Sequence, residues 1–509
     1  MNTKKLVSAV ALVTVLGVIE RFIGFLYRVY LSRSIGAEGL ALYQIALSVA
    51  GVIITVTASG IPVTVSRLIL KERARKNPLG EKEVVSAGII TCVAISLPMT
   101  VAMYVFKDKL AFVFTDKRCY DIFLTILPGI TITSVYAVIR GYFWGNRQYL
   151  KYSLIELGEE VVMAVVGIII VSGSVDGFTG AKRAGVAVFV SYIVSFAVSS
   201  AVFISENGML KNPIPMLKPL IVSSSPITAT RTLTALVGML IAIIVPKQLV
   251  DSGMETSAAL AEYGKLSGMA FPMLFIPSTV IGSFALVLVP EISQSFYEKD
   301  VNKLKKTVGN SLDICTLVSA LIIPVFVSCG KEIGSFIYDS ADAGAYLSIS
   351  AIIMLPMSVS MITTSLLNSM GKEKLTFINY VVGAAAMLAI VWLTPKFIGI
   401  YSLIAANLVS FAVTMTLNLS ALKKTLTSKL GYLKPVLLCL VSMAAASLFG
   451  ILLKGVIKEV SDIVTILIVG AAATAFDLVM LSVFGVVDIN AIKLEILSKK
   501  KGKSRPISR

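Results

Sequence analysis

Four basic residues lie within long apolar stretches of the sequence, where ionisable side chains are rare. Arg21 and Arg28 are seven residues apart and share one face of a helix. Arg231 lies about 10 residues, or roughly 15 Å, from the start of its stretch, and Lys265 begins the next one. A guanidinium group stays charged at any working pH and binds phosphate oxygens through two hydrogen bonds. These residues therefore predict a site for an anionic headgroup, and a diphosphate fits it better than a neutral molecule does.

Some of these charges also have a simpler explanation. Arg28 and Lys265 lie near the predicted outer ends of their helices, where a long basic side chain can extend to the interface. Glu20 can pair with a nearby arginine as a packing device. Arg21 and Arg231 are better explained by a cavity, because an ionisable group at mid-bilayer costs about 2.5 to 3.5 kcal/mol and needs a partner or water.

A second set of charges is acidic. Glu156 and Glu160 are four residues apart, so with Glu159 they concentrate negative charge at one end of the fifth apolar stretch. They can gate a cavity, bind a coupling proton or sodium ion, or form a solvated helix start favoured by the helix dipole. Asp313 and Asp477 are further candidates for ion coupling, and Asp477 is the more costly because it lies near the middle of its stretch.

Composition places the chain in a membrane. The 509 residues are 56% hydrophobic and 15% charged, whereas soluble domains are about 45 to 50% apolar and about 25% charged. The mean hydropathy of +0.88 is too high for soluble cores of ordinary size. The sequence therefore predicts an all-α, polytopic protein of the cell membrane.

The residues that most enzymes use are scarce. The chain contains no histidine, which removes histidine-based acid and base catalysis and most zinc or copper sites. The five cysteines form no C-x-x-C pair, so they are expected to be small core residues and not metal ligands or disulfides. They are Cys92, Cys119, Cys315, Cys329 and Cys439. We predict no enzymatic activity, no cofactor and no metal site.

Apolar runs predict about fourteen transmembrane helices. The first two are placed at 6–31 and 40–66, and the last two at 433–453 and 463–487. With the N-terminus inside, the inner segments hold 30 of the 46 basic residues and the outer loops hold 12. Short cytoplasmic loops carry such an excess of Lys and Arg, so both termini are predicted to be cytoplasmic. The net charge of +17 is thus a topological signal that also suits anionic lipids, and nucleic-acid binding is not needed to explain it.

Proline positions recur at a nearly constant offset, which indicates a duplicated half. Pro98 and Pro324 differ by 226 positions, and Pro128 and Pro356 differ by 228. Six spans per copy is an even number, so the two halves should be related by an axis along the membrane normal. The predicted parts are an N-terminal six-helix lobe at 1–219, a C-terminal six-helix lobe at 220–430, two extra helices at 431–487 and a basic cytoplasmic tail at 488–509.

Two facing lobes imply a cavity between them that opens to each side in turn, which is the physics of alternating access. Helices interrupted by proline or glycine are candidates to line or hinge it, because each interruption frees a carbonyl that needs a partner inside protein. The alternative is that membrane helices simply contain more of these residues. The candidate hinge residues are Gly60, Pro62, Pro128, Pro272, Pro277 and Pro356.

Five runs across most of the chain resemble a known family. They are ERFIGFLYR (20–28), GAEGLALYQ (36–44), SGIP (59–62), RGYF (140–143) and YGKLSGMAFP (263–272). The sequence resembles the stage V sporulation protein B and polysaccharide transporter family of the multidrug/oligosaccharidyl-lipid/polysaccharide exporter (MOP) superfamily, which includes lipid II flippases.

The resemblance implies a fold, a substrate and some of the site residues. It implies two six-helix lobes, commonly with two extra helices, and export of an undecaprenyl-linked sugar such as a peptidoglycan precursor for the spore cortex. Arg21 matches a cavity arginine of lipid II flippases. A second flippase arginine falls at Tyr27, one position before Arg28, and Lys265 is the nearest cation in the eighth helix.

The leading hypothesis is a flippase that binds a lipid-linked sugar diphosphate and turns it outward by alternating access. One alternative is a cation-coupled multidrug exporter, which would need acidic cavity residues. Another is a membrane glycosyltransferase or polymerase, for which the cluster from Glu156 to Glu160 holds the available carboxylates. A third is a non-transporting scaffold for cell-wall synthesis enzymes that binds them through the basic tail.

Overall fold

The structure is a computed structural model that describes residues 3–110, 114–426, 433–457 and 460–486. Within these ranges the chain is nearly all helical and contains no strand, so the all-α prediction is confirmed. The helices in chain order are α1 (Thr3–Ala58), α2 (Ile61–Ala74), α3 (Pro78–Val105), α4 (Lys107–Leu110), α5 (Lys117–Gly145), α6 (Tyr149–Val171), α7 (Gly177–Ser205), α8 (Ile214–Asp251), α9 (Thr256–Tyr263), α10 (Phe271–Phe275), α11 (Ser278–Tyr297), α12 (Val301–Tyr338), α13 (Ala341–Ser350), α14 (Met354–Ser369), α15 (Glu373–Leu393), α16 (Pro395–Ile398), α17 (Tyr401–Leu426), α18 (Leu433–Val456) and α19 (Asp462–Val483).

Eleven helices of the described ranges are long and apolar enough to cross a membrane, or twelve if one bent pair is counted as a span. The longest, Val13–Ala74, covers two predicted spans. Helix α6 is not among the eleven, and it carries the three acids of the fifth predicted span. The chain is therefore a polytopic membrane protein, while the count of fourteen and the orientation of the termini stay predictions. The basic tail at 488–509 lies outside the described residues.

The described chain divides into two compact units. The first is Met1–Gly268 with Val391–Ile400, and the second is Met269–Ile390 with Tyr401–Arg509. Helix α8, which the sequence assigned to the second lobe, packs on α1, α2 and α3 of the first unit. The boundary between the compact units thus differs from the predicted boundary between the lobes, which lies between residues 219 and 220. The two duplicated lobes stay a prediction.

Helix α1 bends where a loop between two spans was expected. Gly36 has φ 70° and ψ 179° within an otherwise helical segment. Positive φ strains residues that carry a Cβ, so glycine is the residue that fits this bend. Just after it, Glu38 accepts a hydrogen bond of 2.6 Å from Arg118, whose guanidinium also binds Asp116 at 2.8 Å. These charges connect the bend to the start of α5.

Apolar packing between helices forms the core of the first unit. Helix α5 packs against α7, α2, α1 and α3, with Phe143 and Val138 fully buried against Val65 and Ile69 of α2. In a membrane, such van der Waals contacts drive helix association, since lipid is as apolar as the side chains. All five cysteines are buried and unpaired, as the sequence predicted.

In the second unit, α12 packs against several other helices, as α5 does in the first unit. It packs against α13, α14, α18 and α19, so the two C-terminal helices are part of this unit. Polar contacts add to the packing where α15 meets α17: the buried Asn379 donates to Asn418 over 2.8 Å, and Asn418 donates to Thr364 over 2.9 Å. A buried amide in lipid needs such partners because water is absent.

Candidate functional site

A polar cavity of about 190 Å³ lies inside the first unit. It is formed by the C-terminal part of α1 together with α5, α6 and α8. Some of the residues that line the cavity are apolar, and others are polar. The polar lining includes Ser59, Tyr136, Arg140, Glu156, Glu159 and Arg231.

A helix break positions one side of this cavity. Helix α1 ends at Ala58 and α2 begins at Ile61, so the carbonyl of Ser59 lies at a helix end, where intrahelical hydrogen bonds run out. The guanidinium of Arg231 donates to this carbonyl over 2.8 Å. Gly60 permits the contact because a Cβ there would lie 2.6 Å from the Ser224 carbonyl oxygen of α8. The helix break therefore supplies the carbonyl that holds the Arg231 side chain at the cavity.

Arg140 is a member of the site that the sequence did not identify. Its guanidinium lies 3.2 Å from Glu156 and 5.6 Å from the ring centre of Trp144, an ion pair and a cation–π contact. The fourth apolar run of the sequence covers 119–139, so hydropathy alone predicts that Arg140 lies in the cytoplasmic loop that follows, as one of the 30 basic residues assigned to the inner segments. Helix α5 instead continues to Gly145, which places Arg140 more than one turn inside it. The one feature of the sequence that could have identified Arg140 was the run RGYF (140–143), which begins with it.

The acids of α6 diverge from one another. Glu156 pairs with Arg140, whereas Glu159 has one buried oxygen without a hydrogen-bond partner among the described residues. Glu160 points at α1, where its carboxylate interacts electrostatically with Arg28. All three side chains are half-buried. Two of the three acids thus have a cationic neighbour on another helix, Glu156 on α5 and Glu160 on α1.

Charges of α1 join this cluster. Glu20 interacts electrostatically with Glu156, Glu160, Arg21 and Arg140. The side chains of Arg21 and Arg28 are exposed, whereas the side chain of Glu20 is half-buried. The first unit therefore brings Glu20, Arg21 and Arg28 near the acids of α6, and it places Arg231 in the cavity beside them.

The other predicted site residues lie elsewhere. Lys265 lies in a π-helical turn, Gly264–Ala270, and pairs with Glu262 at 3.0 Å. In the second unit, Asp313 is exposed on α12. Asp477 is fully buried on α19 and accepts a hydrogen bond from Ser442 of α18. Nothing in the first unit's cavity involves Lys265, so its assignment as a cavity cation stays a prediction.

The candidate hinge residues differ in their local structure. Gly60 and Pro62 lie at the start of α2, and Pro272 lies in the first turn of α10. Pro277 precedes α11, where Thr256–Phe275 and Ser278–Ala285 meet at 46°. Pro128 lies inside α5 without ending it, and Pro356 follows a 3₁₀ turn at the start of α14. Helix breaks are thus present at Gly60 and Pro277, and motion at any of them stays a prediction.

Comparison with known proteins identifies the family. The polysaccharide biosynthesis protein family matches residues 6–296, which is more than half of the chain. The chain belongs to this family. It is 25% identical to stage V sporulation protein B of Bacillus subtilis (strain 168) over 424 residues, covering 81% of this chain and 82% of that protein. It is also 18% identical to the lipid II flippase MurJ of the same organism, over 76% of this chain and 77% of that one.

Solved structures with the same fold are transporters of the MOP superfamily. The lipid II flippase MurJ in an inward closed conformation matches with a TM-score of 0.70 and 14% identity over 93% of this chain and 98% of that one. An inward-facing multidrug resistance MATE family transporter matches with a TM-score of 0.65 and 13% identity, covering 80% of this chain and 96% of that one. The resemblance read from the sequence is confirmed. The chain is thus a membrane protein of the polysaccharide biosynthesis protein family, and it has the fold of these transporters.

The pair of Arg140 and Glu156 can be tested by a double-mutant cycle. We expect a coupling energy of about 0.5 to 1 kcal/mol between Arg140→Gln and Glu156→Gln, because both side chains are about a quarter exposed and solvent screens the pair. The measurement is the unfolding free energy in detergent for the two single variants and the double variant. Additive effects of the two substitutions would mean that the pair contributes nothing.

Proposed function

We propose that this protein flips an undecaprenyl-linked sugar diphosphate, such as a peptidoglycan precursor for the spore cortex, across the cell membrane. Support comes from the family, from the relatives named above and from the arginines of the first unit. The single observation that carries the proposal is the guanidinium of Arg231 at a helix break beside a polar cavity. No covalent chemistry is required, because flipping moves a substrate without breaking a bond.

The arginines are the part of the site that suits phosphate. Arg21 and Arg28 are exposed on one face of α1, so their guanidinium groups are available to a ligand. A charge-assisted hydrogen bond contributes about 1.5 to 3 kcal/mol, more than a neutral one does. We assign Arg21 and Arg231 to the diphosphate, with Arg28 assisting and with Lys265 a further candidate.

The carboxylates are the candidate coupling groups. Glu20, Glu156, Glu159 and Glu160 balance Arg21, Arg28, Arg140 and Arg231 in number when all eight are charged. Protonation of a glutamate leaves the cluster positively charged and favours an anionic substrate. Proton uptake and substrate binding would then assist one another, which is a reciprocal coupling of the kind that allostery requires. Asp313 and Asp477 remain candidates in the second unit.

The proposal also covers the conformational change of the protein and its orientation in the membrane. Two six-helix lobes would rock about the helix breaks, with Gly60, Pro62, Pro128, Pro272, Pro277 and Pro356 as the candidate positions. Both termini would be cytoplasmic, and the basic tail would bind anionic lipids. Cell-wall synthesis enzymes are candidate partners.

The test is a flipping assay with purified protein in proteoliposomes. A fluorescent undecaprenyl diphosphate sugar should cross the bilayer, and the matching undecaprenyl alcohol without phosphate should not be accelerated. A pH gradient and a sodium gradient, applied separately, identify the coupling ion. Equal acceleration of the phosphorylated and the unphosphorylated lipid would contradict the role given to the arginines.

A cation-coupled multidrug exporter is the second candidate, and one observation favours it. Glu156 and Glu159 line the same cavity as Arg231, so acidic groups are available to a cationic drug. Arg140 lies against Glu156, however, which reduces the negative charge offered to such a ligand. Uptake of cationic dyes into proteoliposomes decides between the two functions, and we expect none above the protein-free background.

Removal of the basic tail separates a transporter from a scaffold. We expect a chain lacking residues 499–509 to keep its flipping rate in proteoliposomes within about twofold, since lysines at a membrane surface contribute about 1 kcal/mol each to lipid binding and the diphosphate is assigned to Arg21 and Arg231. The control is the full chain at the same density. A tail-deleted protein that flips normally yet fails to support cell-wall synthesis in cells would favour the scaffold.

A further inference from the structure

A larger polar cavity, of about 510 Å³, lies in the second unit between α11, α14 and the start of α15. This volume falls within the range of about 300 to 1,000 Å³ typical of small-molecule sites. None of the residues that line it is basic. Its polar lining consists of hydroxyl groups, one amide and one carboxylate, from Ser293, Tyr297, Thr364, Ser365, Asn368, Ser369 and Glu373.

Hydrogen bonds to neighbouring residues fix several of these groups. Asn368 Oδ1 accepts from the Thr376 hydroxyl over 2.7 Å, so the amide NH₂ of Asn368 can donate to a ligand. Thr364 Oγ1 accepts from Asn418 over 2.9 Å and keeps its own O–H to donate. Ser293 donates to the Ser369 carbonyl over 2.9 Å and keeps a lone pair to accept. The cavity thus offers donors and acceptors at fixed places.

Two further residues suit a ring that carries hydroxyl groups. Tyr297 lines the cavity with a side chain that is 69% exposed, and its ring is held by an edge contact with Phe296 at 5.5 Å. An aromatic ring packs on the apolar C–H face of a pyranose, and its phenol forms a hydrogen bond at the rim. The carboxylate of Glu373 accepts hydrogen bonds from adjacent hydroxyl groups, and it repels phosphate.

We infer that this cavity binds the uncharged sugar of the lipid-linked substrate. The inference rests on the proposed function and deepens it, because the substrate proposed there carries a sugar and this cavity offers the groups that a sugar needs. Seven of the ten residues that line the cavity carry hydroxyl, amide or carboxylate groups, which fits a lipid tail poorly, and a diphosphate does not fit a lining with a carboxylate and no cation. The cavity adjoins the turn between α14 and α15, which the sequence places on the cytoplasmic side, where an exporter takes up its cargo.

The test compares two probes, undecaprenyl diphosphate and the same lipid bearing one N-acetylated hexosamine, by equilibrium binding to the full-length protein in nanodiscs. We expect the wild-type protein to bind the sugar-bearing lipid more tightly. Asn368→Ala and Glu373→Gln should each weaken its binding about 3- to 10-fold, the loss expected for one or two hydrogen bonds. Binding of undecaprenyl diphosphate should change less than twofold. Lys374→Gln, next to Glu373 but outside the cavity lining, is the matched control.

The outcomes separate the two ideas. Equal affinity of both variants and the wild type for the sugar-bearing lipid would overturn the glycan site and leave the flippase proposal intact. Parallel weakening of both probes would also overturn it, because a sugar site cannot affect a lipid without sugar. If neither lipid binds the wild type, the flippase proposal fails, and direct titration with free N-acetylglucosamine still tests the cavity: binding that Asn368→Ala weakens supports it, and an absence of binding overturns it.

Discussion

Replacing Arg21 by alanine should lower the flipping rate of a lipid-linked sugar diphosphate about 10- to 100-fold, the loss expected for one charge-assisted hydrogen-bond pair. The side chain is exposed on α1 and lies in electrostatic reach of Glu20, so its removal affects ligand binding more than helix packing. The measurement is flipping in proteoliposomes, together with complementation of a flippase-depleted strain at matched protein level.

Two further variants make the result specific. Arg21→Lys keeps the charge but loses the planar fork of donors, so its rate should fall between those of the wild type and Arg21→Ala. Arg33→Ala removes another exposed arginine of the same helix and should leave the rate unchanged. Full activity of Arg21→Ala in both assays would remove Arg21 from the site and with it the main assignment made from the sequence.

A second large effect is expected from Gly344→Ala, through stability. Gly344 of α13 lies against α12 so closely that an added Cβ would overlap the Gly330 carbonyl oxygen and lie 2.7 Å from the Lys331 Cα. Both neighbours are backbone atoms and cannot rotate away. Overpacking usually costs about 1 to 3 kcal/mol, and a contact with backbone places this substitution at the upper end. Thermal unfolding in detergent, followed by size-exclusion chromatography, should show a lower midpoint.

Gly309→Ala is the matched control for this substitution. Gly309 lies on α12 in the same unit, and a Cβ there would meet no atom within 4 Å. Alanine favours helix by up to about 1 kcal/mol over glycine, so the midpoint should be equal or slightly higher. If Gly344→Ala unfolds at the same temperature as Gly309→Ala, α12 and α13 are not in close contact in the membrane.

Hydropathy and local sequence predicted much of this molecule because membrane helices satisfy their own hydrogen bonds. The all-α architecture, the family and the buried cysteines all followed from composition and short runs of residues. The sequence did not indicate that Glu20 of α1 lies near the acids of α6, and the roles given to these residues stay predictions.

Contacts between distant residues could not be predicted in this way. Arg140 was assigned to a loop because a basic residue at the edge of an apolar run normally ends a span, yet α5 extends past it and turns it toward Glu156. The ion pair between Lys265 and Glu262, one turn earlier, was also not predicted, and the role of Lys265 as a cavity cation stays a prediction. The cavity of the second unit is lined by ordinary Ser, Thr and Asn residues, whose role depends on helix packing and leaves no mark in the sequence.

The π-helical turn Gly264–Ala270 contains the boundary between the two compact units, which falls after Gly268. Such a turn holds one residue more than an α-helical turn, and each residue of a helix rotates the next side chain by about 100°. Because the extra residue widens the turn instead of adding a further 100° of rotation, the α-helical winding before and after the turn keeps its phase. Losing one residue there would restore regular winding with Pro272 and Pro277 at about the same azimuth, and it would shorten the helix by no more than about 1.5 Å.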